Sequence, residues 1–232
     1  MMVGPAGRNS GPIQATIRMK NSEKSIVVFG AGDHAKVVIA TVRAVGAHRI
    51  VGLLDDDEAK HNTDWYGESV LGGSEQLQEI YRQGCRKVVV AVGSNQARAD
   101  MQRLAVEAGL QPITMIHPNA VVLPGSQIGE GSVLLPQAYV GAGADIGAGV
   151  LLSVGAMVAH DCILGDWCQL CPGARLGGHA RVGSYALIGL GAAVLPRVAV
   201  GEQAVIGANA AVNRDVPDCA TAVGVPARVL EK

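Results

Sequence analysis

The sequence predicts two units in tandem: a small α/β unit built on a parallel sheet, then a β-solenoid of three-sided coils. Three observations carry this. Up to residue 116, short β-branched runs alternate with segments of helical period; from residue 117 an aliphatic residue recurs every six positions; and the chain holds 31 Gly but only one Phe, four Tyr and two Trp. Its core must therefore be built from Val, Ile, Leu and Ala. The 232 residues divide into 23–116 and 117–232, behind a segment 1–22 that has no apolar run and reads as a frayed tail, not a secretory signal.

In the first unit, Ser25–Phe29, Ile50–Leu54, Val88–Val92 and Pro112–Ile116 read as strands. Residues 34–45, 74–82 and 94–108 carry apolar residues at helical spacing, with Ser74 and Ser94 where N-caps belong. Strands this continuously apolar, separated by helices, imply a parallel sheet buried on both faces with right-handed crossovers.

The second unit is a repeat. From Val122 to Val212 in steps of six, all sixteen positions are Ile, Leu or Val. Two residues before each the side chain is usually Ala, Ser or Cys, with Val150 and Val198 the exceptions, and the residue just after is often Gly. Alternate residues of a strand point the same way, so large and small side chains both face inward and fill a narrow prism, with glycines at its close turns. Three six-residue faces make a coil of roughly eighteen residues. Periodicity leaves the handedness open. Val133, Leu151, Leu187 and Val205 each stand one residue before an inward position, so they are expected to face outward as apolar stripes.

Composition excludes several classes. A net charge of −1 argues against a general nucleic-acid binder or a charge-driven membrane protein. The longest uncharged stretch, 108–129, is broken by three prolines and reads as no membrane span. Five scattered cysteines form no disulfide framework and read as reduced thiols in a cytoplasmic chain, with Cys162 and Cys168 on small inward positions.

Two places carry chemistry. Gly30-x-Gly32-x-x-Ala35 follows a strand and opens a helix, with Asp55 ending the next strand, which is the pattern of a phosphate-binding turn. The unit has no room for a second mononucleotide half, so a nucleotide is expected and a nicotinamide is not. The acidic run 55–58 reads as a solvated strand end beyond its first two residues. In the prism, His160-Asp161 falls midway between inward Val158 and Cys162, at a bend, so the pair points outward. An imidazole there suits general-base work near neutrality, and Asp161 can set its tautomer. Gly178, one coil on, leaves no side chain beside it; His179 reads as a bystander.

The hexads Ile128-Gly129-Glu130-Gly131-Ser132-Val133 and Ile146-Gly147-Ala148-Gly149-Val150-Leu151 resemble the left-handed β-helix of hexapeptide-repeat acyltransferases. Further marks are Gly30-Ala31-Gly32-Asp33-His34-Ala35-Lys36-Val37-Val38, Asp55-Asp56, Gly93-Ser94-Asn95, Val158-Ala159-His160-Asp161-Cys162 and Gly224-Val225-Pro226-Ala227-Arg228. With these, the chain from about Ser25 resembles the sialic-acid-type sugar O-acyltransferases and the nucleotide-sugar N-acetyltransferases of bacillosamine or perosamine synthesis.

That resemblance implies acetyl transfer from acetyl-CoA, with no metal, to a nucleotide-linked sugar, by a homotrimer whose sites lie between neighbouring prisms. His160 would be the base and Asp161 its orienting partner. Gly32, Asp33 and His34 would lie near the phosphates and sugar, Asp55 and Asp56 near base or ribose, Gly93 and Asn95 across the cleft, and Ser153 with the substrate. Gln169, Gly178, Leu190, Ala208 and Arg228 would meet CoA. The chain departs from the family in carrying Gln169 where a second His is common and Asp33 where Gly is usual. The acceptor is expected to be the 4-amino group of a UDP- or GDP-linked 4-amino-4,6-dideoxy sugar, since one base suffices for an amine. A sugar hydroxyl and a non-catalytic solenoid are the other readings, and the trimer is expected to bury the outward stripes.

Overall fold

A computed structural model describes residues 22–231; the expected tail lies outside them but for Ser22. The first unit contains β1 (Ser25–Phe29), α1 (Asp33–Val45), β2 (Arg49–Leu54), β3 (Asp64–Trp65), β4 (Glu68–Gly72), α2 (Leu77–Arg82), β5 (Lys87–Val90), α3 (Asn95–Glu107) and β6 (Gln111–Pro112). Its sheet runs β3-β4-β2-β1-β5-β6, parallel except for the β3–β4 hairpin, which the sequence pattern did not reveal. Every residue of β1, the central strand, is buried. α1 packs with Ile26 and Val28 on one side of the sheet, and α3 packs with Val27 and Phe29 on the other. The chain therefore reverses its direction of winding between the adjacent strands β1 and β5. At that switch point the ends of the strands leave a crevice, where nucleotides bind in such sheets.

Two local expectations are corrected. Ser94 caps α3, accepting from the Ala97 N–H at 3.4 Å, but Ser74 caps nothing. Gly73 holds the cap position of a short 3-10 turn, and the Ser74 N–H donates instead to Asp56 Oδ1 at 2.6 Å. The expected strand Pro112–Ile116 is divided. Pro112 pairs with β5, whereas Met115–Ile116 pairs with Val133–Leu134 and is the first strand of the prism.

The prism is a three-sided parallel β-helix of two-residue strands. Its first face runs from Met115–Ile116 to Thr221–Val223 and ends in an antiparallel strand, Arg228–Val229. The second runs from Val121–Val122 to Ala211–Val212, and the third from Gln127–Ile128 to Ala199–Val200. Within each face a residue pairs with the one eighteen positions on, as Val133 with Leu151 and Tyr139 with Met157, until the last coil, where Val205 pairs with Thr221 and Val200 with Val216. Of the predicted inward aliphatics, every one from Leu134 to Val212 is buried; only Val122 and Ile128, in the first coil, are not.

The corners are more regular than the sequence suggests. From Gly125 to Asn209 every sixth residue has φ between 54° and 81°. About half are not glycine, among them Asp161, Trp167 and His179, although that conformation costs an L-residue roughly 1–2 kcal/mol. Each is the third residue of a four-residue turn, as where the Ala138 N–H bonds to Leu135 O around Gln137. The glycines just after the inward aliphatics serve a different need from the turn conformation expected of them. A Cβ on Gly141, for example, would lie 2.6 Å from Ala159 C and His160 N of the next coil.

The outward stripe meets a further correction. Val133 and Leu151 are only 2% and 1% exposed, because α1 lies over the first face and packs Val38, Ile39 and Val42 against Met115, Val133 and Leu151. Leu187 is half-buried, and Val205, 40% exposed, stays open. Burial of a side chain of this size is worth about 1.5–3 kcal/mol, so the α/β unit is anchored on the early coils. Among the described residues no helix is long and apolar enough to cross a membrane.

Candidate active site

His160 and Asp161 form the bend between the second-face strand Met157–Val158 and the third-face strand Ile163–Leu164. Backbone bonds to both neighbouring coils fix it: the Asp161 N–H donates to Ala142 O, and the His179 N–H donates to His160 O, each at 3.0 Å. His160 Nδ1 lies 2.8 Å from Asp161 Oδ2. An ionised carboxylate only accepts, so Nδ1 carries a proton, and in the neutral imidazole the lone pair is on Nε2. The hydrogen bond from His160 holds the Asp161 carboxyl below its ordinary value, against an opposing effect of burial, and the charges of His179 and His160 add to the lowering. The imidazole is 62% exposed. On its other side is Gly178, where a Cβ would lie 2.6 Å from Cε1 and Nε2.

His179, read from the sequence as a bystander, stands closer than expected. Its Nε2 is 3.6 Å from Asp161 Oδ2, and its ring meets that of His160 edge to face at 5.3 Å. Asp161 thus sits between two imidazoles. The signal was available in the interval of one coil plus one residue between His160 and His179.

The crevice of the α/β unit is built around the turn after β1. Asp55 does not project into it; its carboxylate accepts from the Ala31 N–H at 2.7 Å and the Asp57 N–H at 3.0 Å and is paired with Lys60 at 3.1 Å. Burial pushes this carboxyl up, but those bonds outweigh it and leave it below its ordinary value. Asp55 therefore braces the Gly30–Gly32 turn. Asp56 holds the Ser74 N–H. Asp33 is exposed and paired with Lys36 at 2.9 Å, so a cation stands beside its charge. His34 is half-buried; burial, then the positive charge of Arg98, lowers its pKa to about 4, so it is neutral.

Gly32 and Gly93 face one another across the switch point. Neither has a positive φ, and a Cβ on either would meet nothing within 4 Å. Nothing in the protein itself requires glycine there, and the space beside each α-carbon is open. Asn95 is not available to that space. Its Nδ2 donates to the Tyr185 and Ala186 carbonyls at 2.8 and 3.2 Å, and its Oδ1 accepts from Arg98. Sequence reasoning missed Arg98, since an arginine in a helix with charged neighbours reads as solvated; it is 2% exposed and bridges the two units.

The residues expected around CoA are spread over the prism. Gln169 lies on the first face between Leu151 and Leu187, with a buried Oε1 that has no partner. Ser153 is buried at the bend between first and second faces; Leu190 and Ala208 are exposed at that same bend in later coils. Gly178 stands at the His160 bend, and Arg228 is exposed on the terminal hairpin. Within one chain these residues occupy different edges. His160, Asp161 and His179 place donor atoms within 4.8 Å of one another, a set that could also hold a cation.

Comparison with known proteins gives a consistent picture. Residues 25–104 match the family described as the PglD N-terminal domain. The UDP-N-acetylbacillosamine N-acetyltransferase of Bacillus subtilis (strain 168) is 35% identical over 118 residues, 48% of this chain and 51% of that one, so the chain spans about half the length of this curated relative. Among solved structures, a histidine-to-alanine variant of GDP-perosamine N-acetyltransferase from Caulobacter crescentus, in complex with CoA and GDP-perosamine, is 36% identical with a TM-score of 0.86 over 90% of this chain and 97% of that one. The acetyltransferase domain of PglB from Neisseria gonorrhoeae FA1090, in complex with acetyl coenzyme A, is 34% identical with a TM-score of 0.83 over 89% and 99%.

Proposed function

The chain belongs to the hexapeptide-repeat sugar N-acetyltransferases, with the left-handed β-helix of that family, and on this premise we propose that it acetylates the 4-amino group of a UDP- or GDP-linked 4-amino-4,6-dideoxy sugar from acetyl-CoA. The observation that carries the reading is the His160–Asp161 pair on an outward bend, with Nε2 free and the bare α-carbon of Gly178 beside it. The sugar amine attacks the thioester carbonyl as His160 Nε2 takes its proton; the new C–N bond forms, the C–S bond breaks, and His160 returns the proton to the CoA thiolate. Asp161 keeps the Nδ1–H tautomer and steadies the imidazolium. Gly178 leaves room for the thioester beside the base.

The nucleotide sugar occupies the crevice between Gly32 and Gly93, with His34 a neutral hydrogen-bonding group at its lip and Asp55 and Asp56 shaping its walls. In a three-sided prism the bend between second and third faces is the edge opposite the first face, and the first face is the one the α/β unit covers. The crevice of one chain therefore works with the His160 of a neighbour, in a homotrimer. CoA runs in the groove between prisms, past Gly178 of one chain and Gln169, Leu190 and Ala208 of the next, towards Arg228. Exposed Met157 and Ile163 flanking the His160 bend, Leu195 further along the same edge, and Leu190 on the edge between first and second faces are apolar surfaces that such packing covers. Five free cysteines suit a cytoplasmic, reducing setting.

An amine is preferred over a hydroxyl because one base is enough for it, whereas Gln169 offers a hydroxyl no second titrating group. Kinetics on UDP- and GDP-linked 4-amino-4,6-dideoxy sugars, their 4-hydroxy counterparts and free sialic acid test this. Labelled acetyl must appear on nitrogen; a higher kcat/KM for any hydroxyl acceptor overturns it in favour of O-acetylation, and no transfer to any acceptor overturns catalysis itself.

A further inference from the structure

One buried charge is left over by this reaction. The guanidinium of Arg98, in the first turn of α3, is enclosed by acceptors from both units. Nε donates to Gly149 O at 2.9 Å; Nη2 donates to Trp167 O at 2.9 Å, Cys168 O at 3.4 Å and Asn95 Oδ1 at 3.0 Å; Nη1 donates to Val92 O and Gly93 O, each at 3.4 Å. All six are neutral oxygens, and no carboxylate among the described residues pairs with it. Burial brings its pKa down to about 10, which leaves it cationic at neutral pH. A buried charge without a counter-ion is costly, and a clamp between two units could be made from neutral donors.

Three features aim this charge at the crevice. It is bonded to the carbonyls of Val92 and Gly93, the segment that forms one lip. Its field reaches His34 on the other lip. The thirteen-residue helices α1 and α3 both begin at these lips, with their positive ends there. We propose that Arg98 is a positioning residue that supplies the standing positive charge for the diphosphate of the nucleotide sugar, acting through the Val92–Gly93 backbone that it fixes. The missing counter-ion is then the substrate itself. This rests on the assignment of the nucleotide sugar to the crevice.

The full-length protein and its Arg98→Gln and Arg98→Lys variants would be titrated with UDP and GDP by calorimetry, and with uridine and guanosine by NMR. The wild type is expected to bind at least one diphosphate. Arg98→Gln should weaken that diphosphate about tenfold or more and flatten its salt dependence, while leaving the matching nucleoside unchanged. Arg98→Lys, which keeps the charge, should stay within about threefold of wild type. Equal weakening of diphosphate and nucleoside, or no change in either, would reduce Arg98 to a structural clamp and overturn the inference. If Arg98→Gln does not fold, Arg98→Lys decides alone, and a loss of about tenfold or more counts against the role of charge. A wild type that binds neither UDP nor GDP refutes the crevice assignment, and the inference with it.

Discussion

The imidazole of His160 lies against the bare α-carbon of Gly178, one coil further on, at a distance that admits no side chain. The backbone at Gly178 does not need glycine for its own conformation, since its φ is not positive. Gly178→Ala should therefore fold normally and displace the ring. A shift of about 1 Å at a reacting atom costs on the order of 10²-fold in kcat/KM. Steady-state kinetics beside a thermal melt check this, and a variant within threefold of wild type would show that the ring has room to move.

His160→Ala should lower kcat by about 10²–10⁴-fold with CoA affinity nearly unchanged, as for loss of a general base. Asp161→Asn should cost less, because it tunes the imidazole and performs no transfer. His179→Gln should cost less again: its nitrogen stands 3.6 Å from Asp161, beyond hydrogen-bonding distance, and exposed pairs of that kind contribute little. An order of loss other than His160, Asp161, His179 would require the roles to be reassigned.

If each site joins the crevice of one chain to the His160 of its neighbour, two inactive variants can repair one another. His160→Ala and Gly32→Phe, the second filling the crevice, are each expected to be inactive. Unfolded together and refolded, random mixed trimers should regain about a quarter of wild-type activity, since that share of interfaces joins two intact halves. Light scattering should give the mass of three chains. Mixtures as inactive as their components would place both halves of the site in one chain.

Acid should destabilise the fold partly through His34. Its pKa is about 4 in the folded protein against 6.5 for the free side chain, so as pH falls the unfolded chain takes up the proton first. The stability tied to His34 is intact above pH 6.5, is lost progressively down to about pH 4, and falls no further below that. Denaturant midpoints of wild type and His34→Gln at pH 7, 6 and 5 isolate it: the variant's curve should be flatter, and parallel curves would mean the imidazole is not held neutral.

How much of this was legible varies by the kind of signal. The solenoid could be read because its rule, an aliphatic at every sixth place, acts on each coil separately; the inward residues from Leu134 on are buried as the pattern required. The bend at His160 followed from the same counting. Periodicity tells which way a side chain points and not what covers it, so Val133 and Leu151 were read as bare surface though α1 lies on them. The contacts of Asn95 and the burial of Arg98 went unseen for the same reason. Their partners, Tyr185 O and Gly149 O, are backbone atoms many residues away, and a carbonyl leaves no trace in a sequence. Asp55 was found but its bracing of the Gly30–Gly32 turn was not, because a carboxylate that braces a turn and one that meets a ligand look alike in one dimension.

The eighteen-residue interval between paired strands, kept from Met115 to Val212, bears on how the chain folds. Each new coil closes a loop of the same modest length onto a template already in place, so the entropic cost of adding a coil does not grow along the prism. The α/β unit lacks this economy: β1 must wait for β5, some sixty positions later, before its second edge is satisfied. Contacts distant in sequence form slowly, whereas a stack grows by zippering from any nucleus. Because α1 packs on Met115, Val133 and Leu151, the early coils gain this further burial once the slower unit closes. The free-running end of the zipper is thus the middle and later coils, which carry the His160 bend and can order before the crevice exists.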